Sequence, residues 1–588
     1  MPNLDPTKLA DWQIAEASEA NLKPLDRLAS ELGLAEGEWI PYGRHVAKID
    51  FGSLLKRRVG IPQGKFIDVT AITPTPLGEG KSTTTVGLIQ GLGRQGRKVS
   101  GAIRQPSGGP TFNVKGSAAG GGLSQVLPLS EFSLGLTGDI DAVTNANNLA
   151  MVAVTSRLQH EFNSSDEFLA KRQLKRLDID PRKVSIGWAI DFCAQALRKI
   201  TIGLGDKMDG LMMESQFQIA VSSEVMAILA VSLDWADLRT RMGKIVVALD
   251  KKGRAVTTED LEVAGAMTAL MSKALMPNLM QTLEGQPVLV HAGPFANIAL
   301  GQSSILADRV GLALADYHVT ESGFAADIGY EKFWNLKCRM GGLTPHCTVL
   351  VATIRALKMH GGGPAVLAGT PLPSVYTTSS PALVEAGLPN LLAHLEIVKL
   401  SGVAPVVCLN HFFTDSDEEV AVVRRAVEAA GARFAVSRHW LSGGEGALEL
   451  ADAVVDACAE PNRFSFLYDL ATPHRERVET IATRVYGADA VAWAPLALDK
   501  LAAVQADPAL ATLGTCMAKT HLSLSHDPGL KNRPRHFTLP VRDVMVFRGA
   551  GFVVPIAGDI KLMPGTASDA AFRRIDIDTD TGRVRGLF

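Results

Sequence analysis

Residues 66–88 read FIDVTAITPTPLGEGKSTTTVGL, and this stretch decides the fold. Its opening, extended back one residue to KFIDVTAI, is a short β-branched apolar run, and STTTVGLIQGLGRQG from Ser82 onward has a helical pattern. A glycine-rich turn lies between them. Strand, turn and helix in that order open a βαβ unit, and the helix N-terminus offers backbone N–H groups to an anion. A strict phosphate loop has Gly, four residues, then Gly-Lys-Ser/Thr. Gly80, Lys81 and Ser82 fit that pattern, whereas Thr75 stands at the first glycine and Gly78 lies inside the loop. The chemistry survives the departure. N–H groups from Gly78 onward form a concavity for phosphate oxygens, Lys81 supplies a point charge for the β and γ phosphates, and the Ser82 hydroxyl can ligate Mg²⁺. The alternative, a glycine-rich turn that only caps a helix, is disfavoured by the strand before it and by GKSTTT at the helix start.

Further along, apolar runs alternate with helical patterns: GKIVVALD (243–250), QPVLVHAG (286–293), DYHVTE (316–321), CTVLVATI (347–354) and APVVCLN (404–410). Runs rich in Val and Ile without polar alternation are expected to be buried on both faces, as in parallel sheets. The fold class is therefore α/β: a P-loop NTPase-like, doubly wound, mostly parallel sheet with additional smaller α/β domains. Residues 11–34 have helical spacing (Ile14, Leu22, Leu25, Leu28, Leu32) and end at a glycine stop. Residues 361–381, dense in Gly, Pro, Ser and Thr, are expected to be a linker or long loop. After about residue 460 the pattern changes, with ATPHRERVETIATRVYG as a helix and GFVVPIAGDIKLMP as strands. The expected domains are 1–362, carrying the nucleotide; 363–462, a second α/β unit; and 463–588 at the C-terminus.

At 588 residues the chain exceeds one hydrophobic core. With 46% hydrophobic and 20% charged residues and a formal net charge of −2, it reads as globular, without the basic stripe of a nucleic-acid binder. The partners expected are small molecules, with no nucleic acid and no membrane. The six cysteines include no C-x-x-C pair, so neither a disulfide framework nor a tetrahedral zinc site is expected. The polar N-terminus has no signal core, and the reading is cytoplasmic.

A second glycine-dense segment, AIRQPSGGPTFNVKGSAAGGGLSQ (102–125), follows another strand-like run, KVSGAI. So many glycines imply close backbone approach to a ligand, and Arg104 and Lys115 could stabilise an anion across from the first loop. A flexible surface loop reads equally well from these residues alone.

Together the two segments resemble the formate–tetrahydrofolate ligase family. TPLGEGKSTTT (75–85) matches that family's loop, and RQPSGGP (104–110) with KGSAAGGG (115–122) matches its next block. The similarity recurs along the chain, at LTGDIDAV (136–143), SSEVMAIL (222–229), HAGPFANIA (291–299), ESGFAADIGYEKF (321–333), VATIRALKMHGG (351–362), NHFFTDSD (410–417), SGGEGALELA (442–451) and MAKTHLSLSHDP (517–528). The resemblance implies an enzyme that joins formate to tetrahydrofolate with MgATP through formyl phosphate, giving 10-formyltetrahydrofolate, ADP and phosphate. It implies roles for Thr75, Gly78, Glu79, Gly80, Lys81, Ser82 and Thr83 at the triphosphate, with Ser82 on Mg²⁺. Arg104 would neutralise the formyl phosphate, its planar fork suiting a bidentate grip. Phe412 and Trp440 would sandwich the folate ring, with Phe324 in the same pocket. Asn410 and Asp415 read equally as base-recognition residues and as an ordinary turn. A homotetramer and activation by K⁺ or NH₄⁺ are further family expectations, and Asp139, Glu321 and Asp327 are the carboxylates considered for supporting Mg²⁺.

The chain departs from the family pattern at Gln105 (usually Glu), Ala325 and Ala292 (usually Gly), Leu300 (usually His), His411 (usually Arg) and Phe413 (usually Pro). Two other classes remain open on sequence. A nucleotide-switch protein with a G-x-G-K-[ST]-T-T loop would carry an additional lysine early in that loop, where residues 74–77 have none. A catalytically dead relative would bind nucleotide or folate without turnover.

Overall fold

The computed structural model describes residues 4–113, 118–295, 298, 300–366, 371–558 and 561–587. Seven strands form the parallel part of one twelve-stranded sheet: β1 (Lys65–Ala71), β2 (Val99–Ile103), β3 (Pro287–Val290), β4 (Tyr317–Glu321), β5 (Cys347–Ala352), β6 (Ala404–Asn410) and β7 (Arg433–Ser437). Their spatial order is β3-β2-β4-β1-β5-β6-β7, and every neighbouring pair in that row is parallel. Beyond β3 the sheet continues antiparallel through Asn278–Thr282, Ala47–Ile49 and Trp39–Pro41. The architecture is α/β with a large, mostly parallel sheet.

The period-two alternation of strand side chains divides the interior into two cores. Ile67, Val69 and Ala71 of β1 face the same core as Val86, Leu88, Ile89 and Leu92 of helix α1 (Lys81–Arg94). Phe66 and Ile72 belong to the opposite core, with helices α2 (Ile305–Leu314) and α3 (Pro381–Leu400). Helix α4 (Leu448–Cys458) completes the first layer beside α1. Helices on both faces explain why β1, β5 and β6 are almost wholly buried, the polar Asp68 and Thr70 of β1 included.

Two local expectations change. Val246–Asp250 lies outside the main sheet, in a small antiparallel sheet with Ala255–Thr257 and Ile179–Val184. The tight turn at Gly253, with φ of 82°, folds the strand straight back on itself, so its apolar run is covered by a hairpin instead of parallel neighbours. Residues 11–34 form two helices, Asp11–Glu19 and Leu25–Leu32, because Pro24 cannot continue the first; Gly33 ends the second in the left-handed conformation. In the main sheet, β6 and β7 follow β5 across residue 362. Of the expected loop at 361–381, residues 367–370 lie outside the described residues, and α3 begins at Pro381.

After residue 463 the strands form separate small sheets. Ala490–Trp493 pairs with Thr538–Val541, and Phe552–Ile556 lies between Gly514–Thr515 and Asp543–Phe547. This part is pinned to the rest by Trp334 Nε1 donating to the Ser465 carbonyl at 2.6 Å and Arg339 Nη2 donating to the Tyr468 carbonyl at 2.6 Å.

Candidate functional site

The chain leaves β1 toward β2 on one side and reaches β5 on the other, so the direction of winding reverses at β1. Crevices that hold ligands in open α/β sheets form at such a reversal, beyond the carboxyl ends of the strands. The glycine-rich loop follows β1, Arg104 follows β2, Glu321 ends β4, Asn410 ends β6, and Trp440 comes three residues after β7.

The polar half of the crevice is built on Glu321. This buried carboxylate accepts from the Ser82 hydroxyl at 2.7 Å through Oε2, and from Arg104 Nε at 3.2 Å through Oε1. It therefore joins the first turn of α1 to the end of β2 across β4. Burial pushes its pKa up, but Arg104, Lys81 and the hydrogen bonds from Ser82 and Arg104 outweigh that and hold it below the usual carboxylate value. Lys81, the first residue of α1, is half-buried. Desolvation lowers its pKa against the pull of Glu321, and the nearby Arg104 charge lowers it further. With two cations set against Glu321, the crevice has an excess of positive charge at a helix N-terminus, the arrangement that receives a polyanion.

The loop itself is held by its own side chains. Glu79 accepts from the Thr75 N–H at 2.7 Å and the Thr75 hydroxyl at 3.1 Å, closing the turn. Burial raises the Glu79 carboxyl to about 7, only partly offset by Thr75 and Lys81. Asn410 Nδ2 donates to the Glu79 carbonyl at 3.1 Å. Gly80 has φ of 70°, and a Cβ there would overlap the Asn410 amide, so glycine is required both for the turn and for this approach.

The other half is an aromatic-walled cavity of about 450 Å³, lined among others by Gly78, Thr83, Phe412, Arg438, Trp440 and Leu441. Trp440 is fixed through its neighbour His439, whose Nδ1 pairs with the Ser437 hydroxyl at 2.7 Å and Nε2 with the Thr84 hydroxyl at 3.3 Å. Burial lowers the His439 pKa to about 3, so the ring is a neutral strut between α1 and the Trp440 turn. A Cβ at Gly87 of α1 would collide with the His439 side chain, which sets how closely that turn sits on the helix. Phe412 opens a turn in which its N–H donates to Asp415 Oδ2 at 2.8 Å, so the Asp415 carboxylate serves the turn.

The structure thus gathers Thr75, Gly78, Glu79, Gly80, Lys81, Ser82, Thr83, Arg104, Asn410, Phe412 and Trp440 around one crevice. Phe324 is placed differently. Its ring stacks on His521 at 4.5 Å between centroids and it does not line the aromatic cavity. Among the carboxylates considered for Mg²⁺, Asp139 pairs with Lys48 at 2.6 Å inside the core and Asp327 with Lys519 at 2.7 Å. Only Glu321 of the three reaches Ser82. Lys115 lies outside the described residues.

The departures from the family pattern also find their places. Gln105 is buried, donating to the Phe132 carbonyl at 3.1 Å and accepting from the Thr137 hydroxyl at 2.8 Å. A carboxylate could not make that donation, and the amide works in the interior with no bond to Arg104. Ala292 is held at φ of 48°, the region where glycine is at ease, while its carbonyl accepts from the Gln105 N–H at 2.8 Å. Leu300 and Ala325 are buried apolar side chains. His411 and Phe413 both line the aromatic cavity, and Phe413 is 73% exposed.

Sequence reading alone missed His439 and the double use of Glu321. A lone histidine beside a tryptophan carries no signal, and Glu321 stands 239 residues from Ser82. A larger cavity of about 660 Å³ lies elsewhere, walled by Ile186, Val225, Ile245, Val504 and Val546. It shares no lining residue with the smaller cavity beside the converging charges.

The family model described as formate–tetrahydrofolate ligase matches residues 9–588. A formate–tetrahydrofolate ligase of Dehalococcoides mccartyi (strain ATCC BAA-2266 / KCTC 15142 / 195) is 65% identical over 588 residues, covering 100% of this chain and 98% of that one. One of Desulforapulum autotrophicum is 61% identical over 589 residues, and one of Lawsonia intracellularis 60% over 590, each covering 100% of both chains.

Proposed function

The chain belongs to the formate–tetrahydrofolate ligase family and is a ligase; from that premise we propose that it activates formate with ATP at the Lys81 loop and hands the formyl group to a folate held in the aromatic cavity. The observation that carries the reading is Glu321, which ties Ser82 of the loop to Arg104 and so aims both at one point. The order β3-β2-β4-β1-β5, with the glycine-rich loop after β1, supports a P-loop NTPase-like reading of the sheet.

Formate is a poor electrophile because its leaving group would be oxide. Attack of a formate oxygen on the γ phosphorus breaks the bond to the β-phosphate oxygen, releases ADP and gives formyl phosphate. The negative charge gathered on the γ oxygens is met by Lys81, by the N–H groups of the loop and by the Arg104 fork. In the second step the N10 lone pair of tetrahydrofolate attacks the formyl carbon. The bond to phosphate breaks, and the N10 proton leaves with it. Stacking between Phe412 and Trp440 would orient the folate ring so that N10 faces the loop.

Ser82 and Glu321 offer a hydroxyl and a carboxylate 2.7 Å apart, hard oxygen donors that suit Mg²⁺. Bound there, Mg²⁺ would neutralise charge on the β and γ phosphate oxygens. Lys81 and Arg104 are the residues of this chain that hold the transferring phosphoryl group, and Glu321 keeps Arg104 aimed.

Incubation with MgATP, formate and tetrahydrofolate should give the acid-cyclised methenyl product by absorbance, with none if any substrate is omitted. With formate labelled in both oxygens by ¹⁸O, one label should appear in the inorganic phosphate. Product formed with unlabelled phosphate would remove formyl phosphate from the scheme. ATP binding without product would remove the ligase reading itself.

A further inference from the structure

Phe412 has a charged backing that belongs to another strand. Arg355 stands at the start of the helix Ile354–His360, which follows β5, and the Thr353 hydroxyl caps that helix by accepting from the Ala356 N–H at 3.1 Å. Its guanidinium carbon lies over the Phe412 ring, 4.3 Å from the centroid. Nη2 donates to the Thr414 hydroxyl at 3.3 Å, one residue short of Asp415, whose other carboxylate oxygen holds the Phe412 N–H.

Two buried atoms in this group have no hydrogen-bond partner among the described residues, Arg355 Nε and Asp415 Oδ1. Burial lowers the Arg355 pKa and raises that of Asp415 to about 6, and each group's charge opposes the other's shift. The guanidinium is held by its single bond to Thr414 and by its contact with the ring, since cation and aromatic face attract more strongly where water is excluded. With one face of Phe412 taken by Arg355, the ring has its other face for the cavity.

We propose that Arg355 is a positioning residue for the folate side of the site, clamping the Phe412 ring so that the bicyclic ring of the reduced folate can stack on its free face. The inference rests on the reading that the aromatic cavity takes the folate ring. Arg355 touches neither the substrate nor the reacting atoms. It acts by restricting the ring to one orientation, which lowers the entropy lost on stacking.

The test is a KM against kcat comparison in the full-length protein. Arg355→Ala should raise the KM for tetrahydrofolate about tenfold, with kcat and the KM values for ATP and formate changing less than about twofold. Arg355→Lys, which keeps charge but loses the flat fork, should recover only part of the loss. In a Phe412→Ala background, Arg355→Ala should add nothing further, because its effect passes through the ring. Additive effects of the two changes would overturn the proposal, as would an Arg355→Ala protein of normal folate KM. If Arg355→Ala does not fold, Arg355→Gln and Arg355→Lys give the same readout. The underlying reading fails separately: Phe412→Ala and Trp440→Ala would then both leave the folate KM unchanged, whereas failure of the clamp alone leaves those two effects in place.

Discussion

The two halves of the crevice are built on opposite principles. The Lys81 half is charged and held by the hydrogen bonds that Ser82 and Arg104 donate to Glu321 and Thr75 donates to Glu79, with its groups at strand ends, in the loop after β1 and in the first turn of α1. The Phe412–Trp440 half is mainly apolar; Arg355 backs the Phe412 ring, and His439 ties the turn that carries Trp440 to α1. Charge that develops during a reaction is met best by groups already fixed in place, whereas a substrate ring is held by area and stacking. Under the proposed function the difference becomes a division of labour, with kcat on one side and folate affinity on the other.

The sharpest way to break that division is Lys81→Ala. It should lower kcat by about 10³-fold or more with little change in the KM for tetrahydrofolate, read by the methenyl-product assay. An equal rise in folate KM would mean that the halves are not separable. Arg104→Lys keeps the charge but cannot span Glu321 and a phosphoryl oxygen with one planar fork, so kcat should fall on the order of 10²-fold. Undiminished kcat would place the guanidinium outside the chemistry.

Glu79 sharpens the comparison through stability. Its folded pKa, about 7, lies above the unfolded value near 4.5, so between those values the folded protein holds a proton that the unfolded chain has lost. Stability from this group therefore falls as pH rises from about 5 to about 7 and is level above. Glu79→Gln cannot ionise, so relative to it the native protein should lose on the order of 2 kcal/mol between pH 5 and pH 8, measured by denaturant unfolding without nucleotide. A pH-independent difference would mean that burial does not raise this carboxyl. The smallest expected effect is on the aromatic side. Trp440→Ala should raise the KM for tetrahydrofolate roughly tenfold while kcat changes by less than a factor of three, in steady-state assays with ATP and formate saturating.

The same contrast explains what could be read in advance. The glycine-rich loop was legible because its chemistry is contiguous: Gly78, Gly80, Lys81 and Ser82 fall within one strand–turn–helix unit. The parallel strands were legible because burial on both faces leaves a run of Val and Ile. Val246–Asp250 has the same composition yet sits in a hairpin, since an apolar run records burial and not the direction of its neighbour. Glu321, Arg355 and His439 act across the sheet on residues far away in the chain. Their identities alone carry no trace of those partners. Phe324 shows the reverse limit, a residue in a family-like block whose ring packs on His521, away from the cavity formed by Phe412 and Trp440.

The unbroken sheet across residue 362 bears on how such a chain can be divided or recombined. A chain stopped there would keep β5 but lack β6, leaving the N–H and C=O groups of an almost wholly apolar strand without their partner. An edge of that kind templates pairing with other chains. The fragment ending there would then self-associate when made alone, and the segment after it could not be exchanged between relatives as a cassette. Two halves of a crevice that share one sheet must be inherited, and folded, together.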